Sequence, residues 1–261
     1  MLKPRIIPVL LIRDKGLVKT VKFKDPKYVG DPINAVKIFN EKEVDELTVL
    51  DIDATTDNRE PDYKTIENLA SECRMPLCYG GGIKTLDQAQ KILSLGVEKV
   101  AISSAFINKP ELISMLAERV GRQSVVLVLD VRKKFFGNKY ECYIQNGSIN
   151  TKLCPFEFAK KAESSGVGEI VINFIDRDGI MKGYDLEFVA KFKNEIQVPV
   201  TVLGGAGEYD HIKQLVSQEG IVGAAAGSLF VFKGKYKAVL INYPNKEEKK
   251  AIIGSPQKYI K

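Results

Sequence analysis

Short apolar runs alternate along the chain with longer segments whose apolar residues recur at helical spacing. The run SVVLVLD at 124–130 is typical, because five successive apolar residues with no polar alternation predict a strand buried on both faces of a parallel sheet. The strands predicted in this way are 5–12, 46–53, 76–80, 97–103, 124–130, 169–175, 198–203 and 222–226. Their alternation with helical segments predicts an α/β fold.

Helix starts and turns lie between these strands. Asp31 and Pro32 predict an N-cap followed by a first-turn proline, and Thr85 with Gln88 predicts a capping box. Other helices are predicted at 61–73, from 108 onwards, and at 155–164, 186–194 and 209–217. The polar segment 13–30 is predicted to be a loop long enough to act as a lid, and 139–152 a hairpin that turns at Asn146 and Gly147.

The second half of the chain repeats the first. RIIPVLLIRD resembles SVVLVLDVRK, and CYGGGIK resembles VLGGAGE. The pairs Asp53 and Asp176, Gly80 and Gly204, and Ser104 and Ser228 are separated by 123, 124 and 124 positions. This near-constant period predicts two half-barrels, 4–120 and 122–240, closed into one (βα)8 TIM barrel and followed by a basic tail at 241–261. An open doubly wound sheet is the less favoured alternative.

Composition narrows the possible functions. The chain has 261 residues, 39 basic and 33 acidic, and its net charge of +6 is dispersed, which favours small anions over nucleic acid. The longest apolar runs are too short to span a bilayer. Four cysteines without a CxxC pair indicate a reducing, cytoplasmic environment. The single histidine, His211, is predicted to lie at a solvated helix start, which argues against histidine-based zinc sites and catalytic triads. No metal or cofactor is predicted.

Glycine and serine residues follow four of the predicted strands at the repeat period. Glycine turns let backbone N–H groups approach a phosphate closely, although tight turns need glycine in any case. Two such turns, each beside a serine-bearing strand end, predict a ligand with a phosphate at either end. The candidate phosphate-binding residues are Gly81, Gly82, Ser103, Ser104, Gly204, Gly205, Gly227 and Ser228.

Asp130 ends the fifth strand, at the edge where barrel enzymes carry their reacting groups. It is therefore the candidate general acid or base, the alternative being a helix cap or loop acid. Its counterpart in the first half is Leu11, so only one half supplies a carboxylate at this position. Asn173 is a candidate hydrogen-bonding residue, whereas Asp51 and Asp176 are interpreted equally as substrate ligands or as acids that hold loops.

Four charged residues, Arg5, Glu46, Lys99 and Glu169, stand at the opposite ends of the strands. If the barrel closes, these residues can converge as a ring of alternating sign at the bottom of its lumen. Such a ring satisfies its own charges and could open to a small neutral molecule, but on the residues alone the favoured interpretation is a stabilising salt-bridge cluster.

These motifs resemble those of the cyclase subunit of imidazole glycerol phosphate synthase, the HisF family. The resemblance runs from PRIIP through CYGGGIK, IDRDG at 175–179 and LGGAG to AAAGSLFVF. It implies a glutamine amidotransferase in which a HisH-like glutaminase docks on the N-terminal face and ammonia crosses the lumen to a phosphorylated substrate. It also implies that Arg5, Glu46, Lys99 and Glu169 form the ammonia gate, that Lys19 covers the substrate and that Gly179 lies at the site.

Two positions depart from the family pattern. Leu11 stands where the family has a second catalytic aspartate, and Ser103 stands where the cyclases carry asparagine. The segments at 9–32 and 238–244 resemble HisF-like paralogues of surface-polysaccharide clusters, which implies ammonia supply for converting an acetamido sugar into an acetamidino sugar. The alternatives are a true cyclase that reroutes a proton through Asp14 or Asp51, and a non-catalytic conduit that serves a separate ATP-dependent sugar amidotransferase.

Overall fold

The computed structural model describes residues 3–135, 137 and 139–254. In chain order its strands are β1 (Arg5–Arg13), β2 (Gly16–Val21), β3 (Lys24–Gly30), β4 (Leu47–Asp51), β5 (Leu77–Gly80), β6 (Lys99–Ile102), β7 (Val125–Lys133), β8 (Tyr140–Ile144), β9 (Ile149–Asn150), β10 (Glu169–Phe174), β11 (Val200–Leu203), β12 (Gly223–Ala226), β13 (Phe232–Lys233) and β14 (Ala238–Val239). Its helices are α1 (Pro32–Glu41), α2 (Tyr63–Glu72), α3 (Leu86–Ser94), α4 (Ser104–Asn108), α5 (Glu111–Val120), α6 (Pro155–Ser164), α7 (Leu186–Glu195), α8 (Tyr209–Glu219), α9 (Ser228–Val231) and α10 (Lys246–Ile253).

Eight of these strands form a closed parallel barrel. Around the barrel the order is β1, β4, β5, β6, β7, β10, β11 and β12, and β12 pairs with β1 to complete the circle. The predicted (βα)8 TIM barrel is therefore confirmed. Strands β1 and β7 are four positions apart in either direction, so they lie on opposite sides of the lumen.

Apolar side chains fill two layers. The outer layer packs the barrel against its helices, as in α1, where Ala35, Val36 and Phe39 are buried on one face. The inner layer fills the lumen and consists of Ile7, Val9, Cys78, Ala101, Val126, Val128, Val171, Leu203 and Ala225, with Leu11 and Leu50 packed against its upper end. This inner layer therefore gives the lumen an apolar lining between its two ends.

The segment 13–30 is not the predicted loop but a hairpin formed by β2 and β3. Its connections are two-residue turns with positive φ, at Asp14 and Lys15 and again at Lys22 and Phe23. Asn-Gly and Asp-Gly are the usual pairs in such turns, so the sequence carried no hairpin signal there. The hairpin predicted to turn at Asn146 and Gly147 is confirmed as β8 and β9.

Part of the predicted basic tail is ordered against the barrel. Helix α10 begins with a capping box at Asn245, and the hydroxyl of Tyr243 donates to the carbonyl of Ile6 at 2.9 Å. The remainder of the tail, 255–261, lies outside the described residues. Within the described part of the chain, every helix is too short or too polar to cross a bilayer.

Candidate functional site

A pocket opens at the C-terminal ends of the barrel strands, between the turns that follow them. Its lining contains nearly all the residues predicted from the sequence to contact the substrate: Lys19, Asp51, Gly81, Gly82, Ser103, Ser104, Asp130, Asn173, Gly179, Gly204, Gly205, Gly227 and Ser228. The exception is Asp176, which does not line this pocket. Its carboxylate accepts a hydrogen bond at 2.9 Å from the backbone N–H of Lys133, so the structure favours its interpretation as an acid that holds a loop.

Asp130 lies in the wall of this pocket beside Asn173. The two residues are register partners on β7 and β10, and Asn173 Nδ2 donates to Asp130 Oδ1 at 2.9 Å. Burial raises the pKa of Asp130 to about 7, the Asn173 hydrogen bond opposes this shift, and the negative charge of Asp178 adds to it. A carboxyl group with this pKa exchanges a proton near neutral pH, which suits a general acid or base.

The opposite wall of the pocket is apolar. Leu11 on β1 and Leu50 on β4 line it, and both pack on the apolar layer of the lumen. Asp14 does not line the pocket, and its side chain is 87% exposed. Asp51 does line it, but its Oδ1 accepts from the backbone N–H groups of Asp53 and Ala54 at 3.1 and 3.0 Å. Asp53 also lines the pocket, and its Oδ2 lies 3.0 Å from Arg13 Nε, so each first-half carboxylate in the lining already has a partner within the protein.

The glycine turns are tightly packed against neighbouring backbone. Gly81 has a φ of 126°, and a Cβ there would overlap the carbonyl of Asp51. Gly205 has a φ of 117°, and a Cβ there would overlap the carbonyl of Gly183. These positions require glycine even without a ligand, so turn geometry and phosphate binding both remain explanations for them.

Lys19 comes from the β2–β3 hairpin and reaches the turn after β12. Its side chain is buried, Nζ donates to the carbonyl of Val9 at 2.7 Å, and a Cβ on Gly227 would overlap Nζ. Burial lowers the pKa of Lys19 to about 8, and the charge of Asp178 opposes this shift. A cation is thus placed directly beside one of the two predicted phosphate turns.

Asp178 anchors that hairpin to the second half of the barrel. Its carboxylate accepts from Thr20 Oγ1 at 2.6 Å and from the backbone N–H of Phe23 at 3.1 Å. The β8–β9 hairpin makes the converse contact, because Asn146 Nδ2 donates to the carbonyl of Ile52 at 2.6 Å. Asn146 lines the pocket and was not predicted to do so, since its Asn-Gly pair indicated only a turn.

The four predicted charges at the other end of the lumen do converge. Arg5 forms ion pairs with Glu46 and, at 2.7 Å, with Glu169, and Lys99 Nζ lies 2.9 Å from both carboxylates. Burial raises the pKa of Glu169, but the charges of Arg5 and Lys99 outweigh it and hold that pKa below its usual value. Thr201, which was not predicted, donates to Glu169 at 2.6 Å. The ring is fully paired.

His211 lies in the first turn of α8, as predicted, but its predicted exposure to solvent is wrong. Its side chain is only 16% exposed, and its Nδ1 accepts the backbone N–H of Gly207 at 3.1 Å. The histidine therefore holds the turn after β11 and has no solvated position at the helix start.

Comparison with known proteins identifies the family. A family model described as "Histidine biosynthesis protein" matches residues 5–237. A Vibrio vulnificus protein provisionally named imidazole glycerol phosphate synthase subunit hisF3 is 66% identical over 97% of both chains. A provisionally named HisF subunit of Leptospira interrogans is 57% identical over 97% of this chain and 100% of its own length. A hisF2 subunit of Pseudomonas aeruginosa, also provisionally named, is 54% identical over 94% of this chain and 97% of its own. The chain therefore belongs to the histidine biosynthesis protein family, as a HisF-type synthase subunit.

Proposed function

We propose that this chain is the synthase subunit of a glutamine amidotransferase that serves acetamidino-sugar biosynthesis in a surface-polysaccharide pathway. A HisH-like glutaminase docks on the N-terminal face and releases ammonia, which passes the ring of Arg5, Glu46, Lys99 and Glu169 and crosses the lumen. At the mouth, the ammonia reacts with a phosphorylated substrate, and Asp130 is the remaining acid or base.

The replacement of a carboxylate by Leu11 carries this proposal. Cyclisation in the family depends on acids from both sides of the barrel, and the wall facing Asp130 is built from Leu11 and Leu50. An aliphatic side chain cannot transfer a proton, and neither Asp14 nor Asp51 is free to do so from that wall. The paralogue numbers in the names hisF3 and hisF2 of two relatives also support a role beside histidine biosynthesis.

The apolar wall also favours a second candidate, a conduit. Leu11 and Leu50 extend the apolar lining of the lumen to the mouth, which would let neutral ammonia pass on to a separate ATP-dependent sugar amidotransferase. In that case Asp130 would have no chemical step to perform. Replacing it by asparagine should leave the output of the assembled pathway unchanged, whereas a large loss would exclude the conduit.

The cyclase reaction supplies the direct test. The purified chain is given ammonium chloride and the family's substrate, ribulosyl aminoimidazole carboxamide bisphosphate, and product formation is followed. We expect no imidazole glycerol phosphate from the native chain and measurable turnover from Leu11→Asp, which restores the second acid. Leu50→Asp is the matched control, because it places an acid on the same wall at the wrong strand. Turnover by the native chain would contradict the proposal and would show that the protein is a cyclase of histidine biosynthesis.

A further inference from the structure

One of the four ring residues at the bottom of the lumen is held differently from the other three. Three of them lie within barrel strands and are paired in register with a neighbouring strand: Arg5 on β1, Lys99 on β6 and Glu169 on β10. Glu46 is the exception, because β4 begins one residue later, at Leu47. The register between β1 and β4 begins only at Val9 and Thr48. The position of Glu46 therefore depends on contacts other than strand pairing.

Asp45, the residue before Glu46, supplies such contacts. Its Oδ2 accepts the backbone N–H of Ile6 at 2.9 Å. The Tyr243 hydroxyl donates to the carbonyl of Ile6 at 2.9 Å and accepts the backbone N–H of Asp45 at 3.2 Å. Because Ile6 follows Arg5, these bonds join the backbone beside Arg5 to the backbone beside Glu46. They therefore set the separation of two ring residues that form an ion pair with each other.

Helix α10 completes this group of contacts. Lys249 Nζ lies 2.7 Å from Asp45 Oδ1 and 5.3 Å from the centre of the Tyr243 ring. Burial raises the pKa of Tyr243 and the charge of Asp45 adds to this shift, so the hydroxyl keeps its proton. Lys246 also pairs with Glu43 at 2.9 Å, but both of these side chains are exposed. Because Asp45 lies just before β4, these pairs hold α10 on the N-terminal face of the barrel.

We propose that Asp45 and Tyr243 are positioning residues for Glu46, and that α10 holds them in place through Lys249. One member of the ring then depends on a C-terminal segment for its placement. A protein that binds the N-terminal face and contacts α10 therefore acts on Glu46 without touching the ring itself. This inference rests on the proposed function only in taking the ring as an ammonia gate, because the positioning is a property of the chain alone.

A double-mutant cycle, measured by urea unfolding, tests the positioning. Tyr243→Phe removes the hydroxyl and keeps the aromatic ring, and Glu46→Gln removes the charge that the hydroxyl helps to place. In the Tyr243→Phe background, the increase in the unfolding equilibrium constant caused by Glu46→Gln should be roughly threefold to tenfold smaller than in the native chain, because residues in one network are coupled. Tyr184→Phe is the matched control, since its buried hydroxyl also donates to a strand carbonyl, that of Ala225, at 2.9 Å. Its effect and that of Glu46→Gln should be additive.

Hydrogen exchange of the Lys99 ammonium gives a second readout, which a loss of global stability alone does not move. Lys99 Nζ is paired with Glu46, so its hydrogens report on that carboxylate. In a nitrogen-labelled sample well below the unfolding transition, they should exchange several-fold faster in Lys249→Met than in the native chain, because α10 no longer holds Asp45. Lys246→Met is the matched control and should leave the exchange unchanged, since it breaks an exposed pair on the same helix.

Two results would each overturn the proposal. One is additivity of Tyr243→Phe and Glu46→Gln in the cycle, and the other is equal Lys99 exchange in the two lysine variants. The exchange measurement decides even if Tyr243→Phe fails to fold. Both experiments use the chain without ammonia or a glutaminase, so they can fail while the proposed function stands.

Discussion

Strands β1 and β7 face each other across the barrel, and each is followed by an antiparallel hairpin that reaches the mouth. Backbone architecture is therefore the same on the two sides. The side chains that meet in the pocket differ, because β1 presents Leu11 and β7 presents Asp130 beside Asn173. Strands and turns thus preserve the site's shape, whereas single residues at strand ends decide what chemistry it supports.

The two halves are also fastened to each other in different ways at the two ends of the lumen. At the mouth, each hairpin contacts the opposite half, through Thr20 with Asp178 and through Asn146 with Ile52. At the bottom, the first half supplies both cations of the ring, and the second half supplies Glu169 with Thr201. Removing the carboxylate of the second half therefore leaves both cations of the first half to share Glu46 alone.

The largest effect should come from Glu169→Gln, which removes one of the two buried acids that balance Arg5 and Lys99. Breaking a buried ion pair from one side costs about 3 kcal/mol in free energy of unfolding at neutral pH. Because the folded-state pKa of Glu169 is lowered, its contribution is present above the unfolded value of 4.5 and is lost as the pH falls through the lower folded value.

Urea unfolding of native and variant protein measures this cost. The control is Glu187→Gln, which breaks an exposed pair with Lys191 at 2.7 Å and should change the free energy of unfolding by less than about 0.5 kcal/mol. Equal losses for the two variants would show that the ring does not join the halves of the barrel.

Asp130→Asn should give the next largest effect, in the direction of greater stability. The folded-state pKa of about 7 lies above the ordinary value of 3.8, so the folded protein holds this proton more tightly and loses stability as the pH rises between these values. Asparagine cannot ionise and keeps the amide contact with Asn173. At about pH 8 we expect the variant to be more stable by on the order of 2 kcal/mol, with allowance for solvent screening at the open mouth.

The difference should shrink towards zero as the pH falls below the unfolded value of 3.8, where the native carboxyl is protonated in both states. Urea unfolding at several pH values measures it. Leu11→Asp is the converse variant, because it places an acid on the facing strand and should destabilise the fold more at about pH 8 than at about pH 4. Parallel pH profiles for the native chain and Asp130→Asn would mean that the pocket does not hold this group in its neutral form.

Periodicity and repeats predicted the barrel because parallel strands are short, uniformly apolar and separated by capped helices. The convergence of Arg5, Glu46, Lys99 and Glu169 was also predictable, since strand starts meet at one face once the barrel closes. The first hairpin could not be predicted. Its turns, Asp14-Lys15 and Lys22-Phe23, have positive φ but lack the Asn-Gly or Asp-Gly pairs that usually signal such turns.

Contacts between distant segments could not be predicted from the sequence either. The binding of Thr201 to Glu169 depends on the register between β10 and β11, and Asp176 is drawn away from the mouth by the N–H of Lys133. His211 packs on the Gly207 turn, although its neighbours in the sequence are polar. Such placements follow from the packing of the closed barrel, which local sequence does not encode.

The smallest effect concerns helix caps that the repeat relates to each other. Helix α3 begins with a capping box in which Thr85 Oγ1 accepts the N–H of Gln88 at 3.2 Å. The N-cap of α8, the equivalent helix in the second half, is Glu208, which makes no side-chain cap. Thr85→Ala should therefore lower the free energy of unfolding by about 1 kcal/mol, the usual worth of an N-cap. Glu208→Ala should change it by less than about 0.5 kcal/mol. Thermal and urea unfolding of both variants measure the difference, and equal losses would mean that the two halves cap these helices alike despite their different residues.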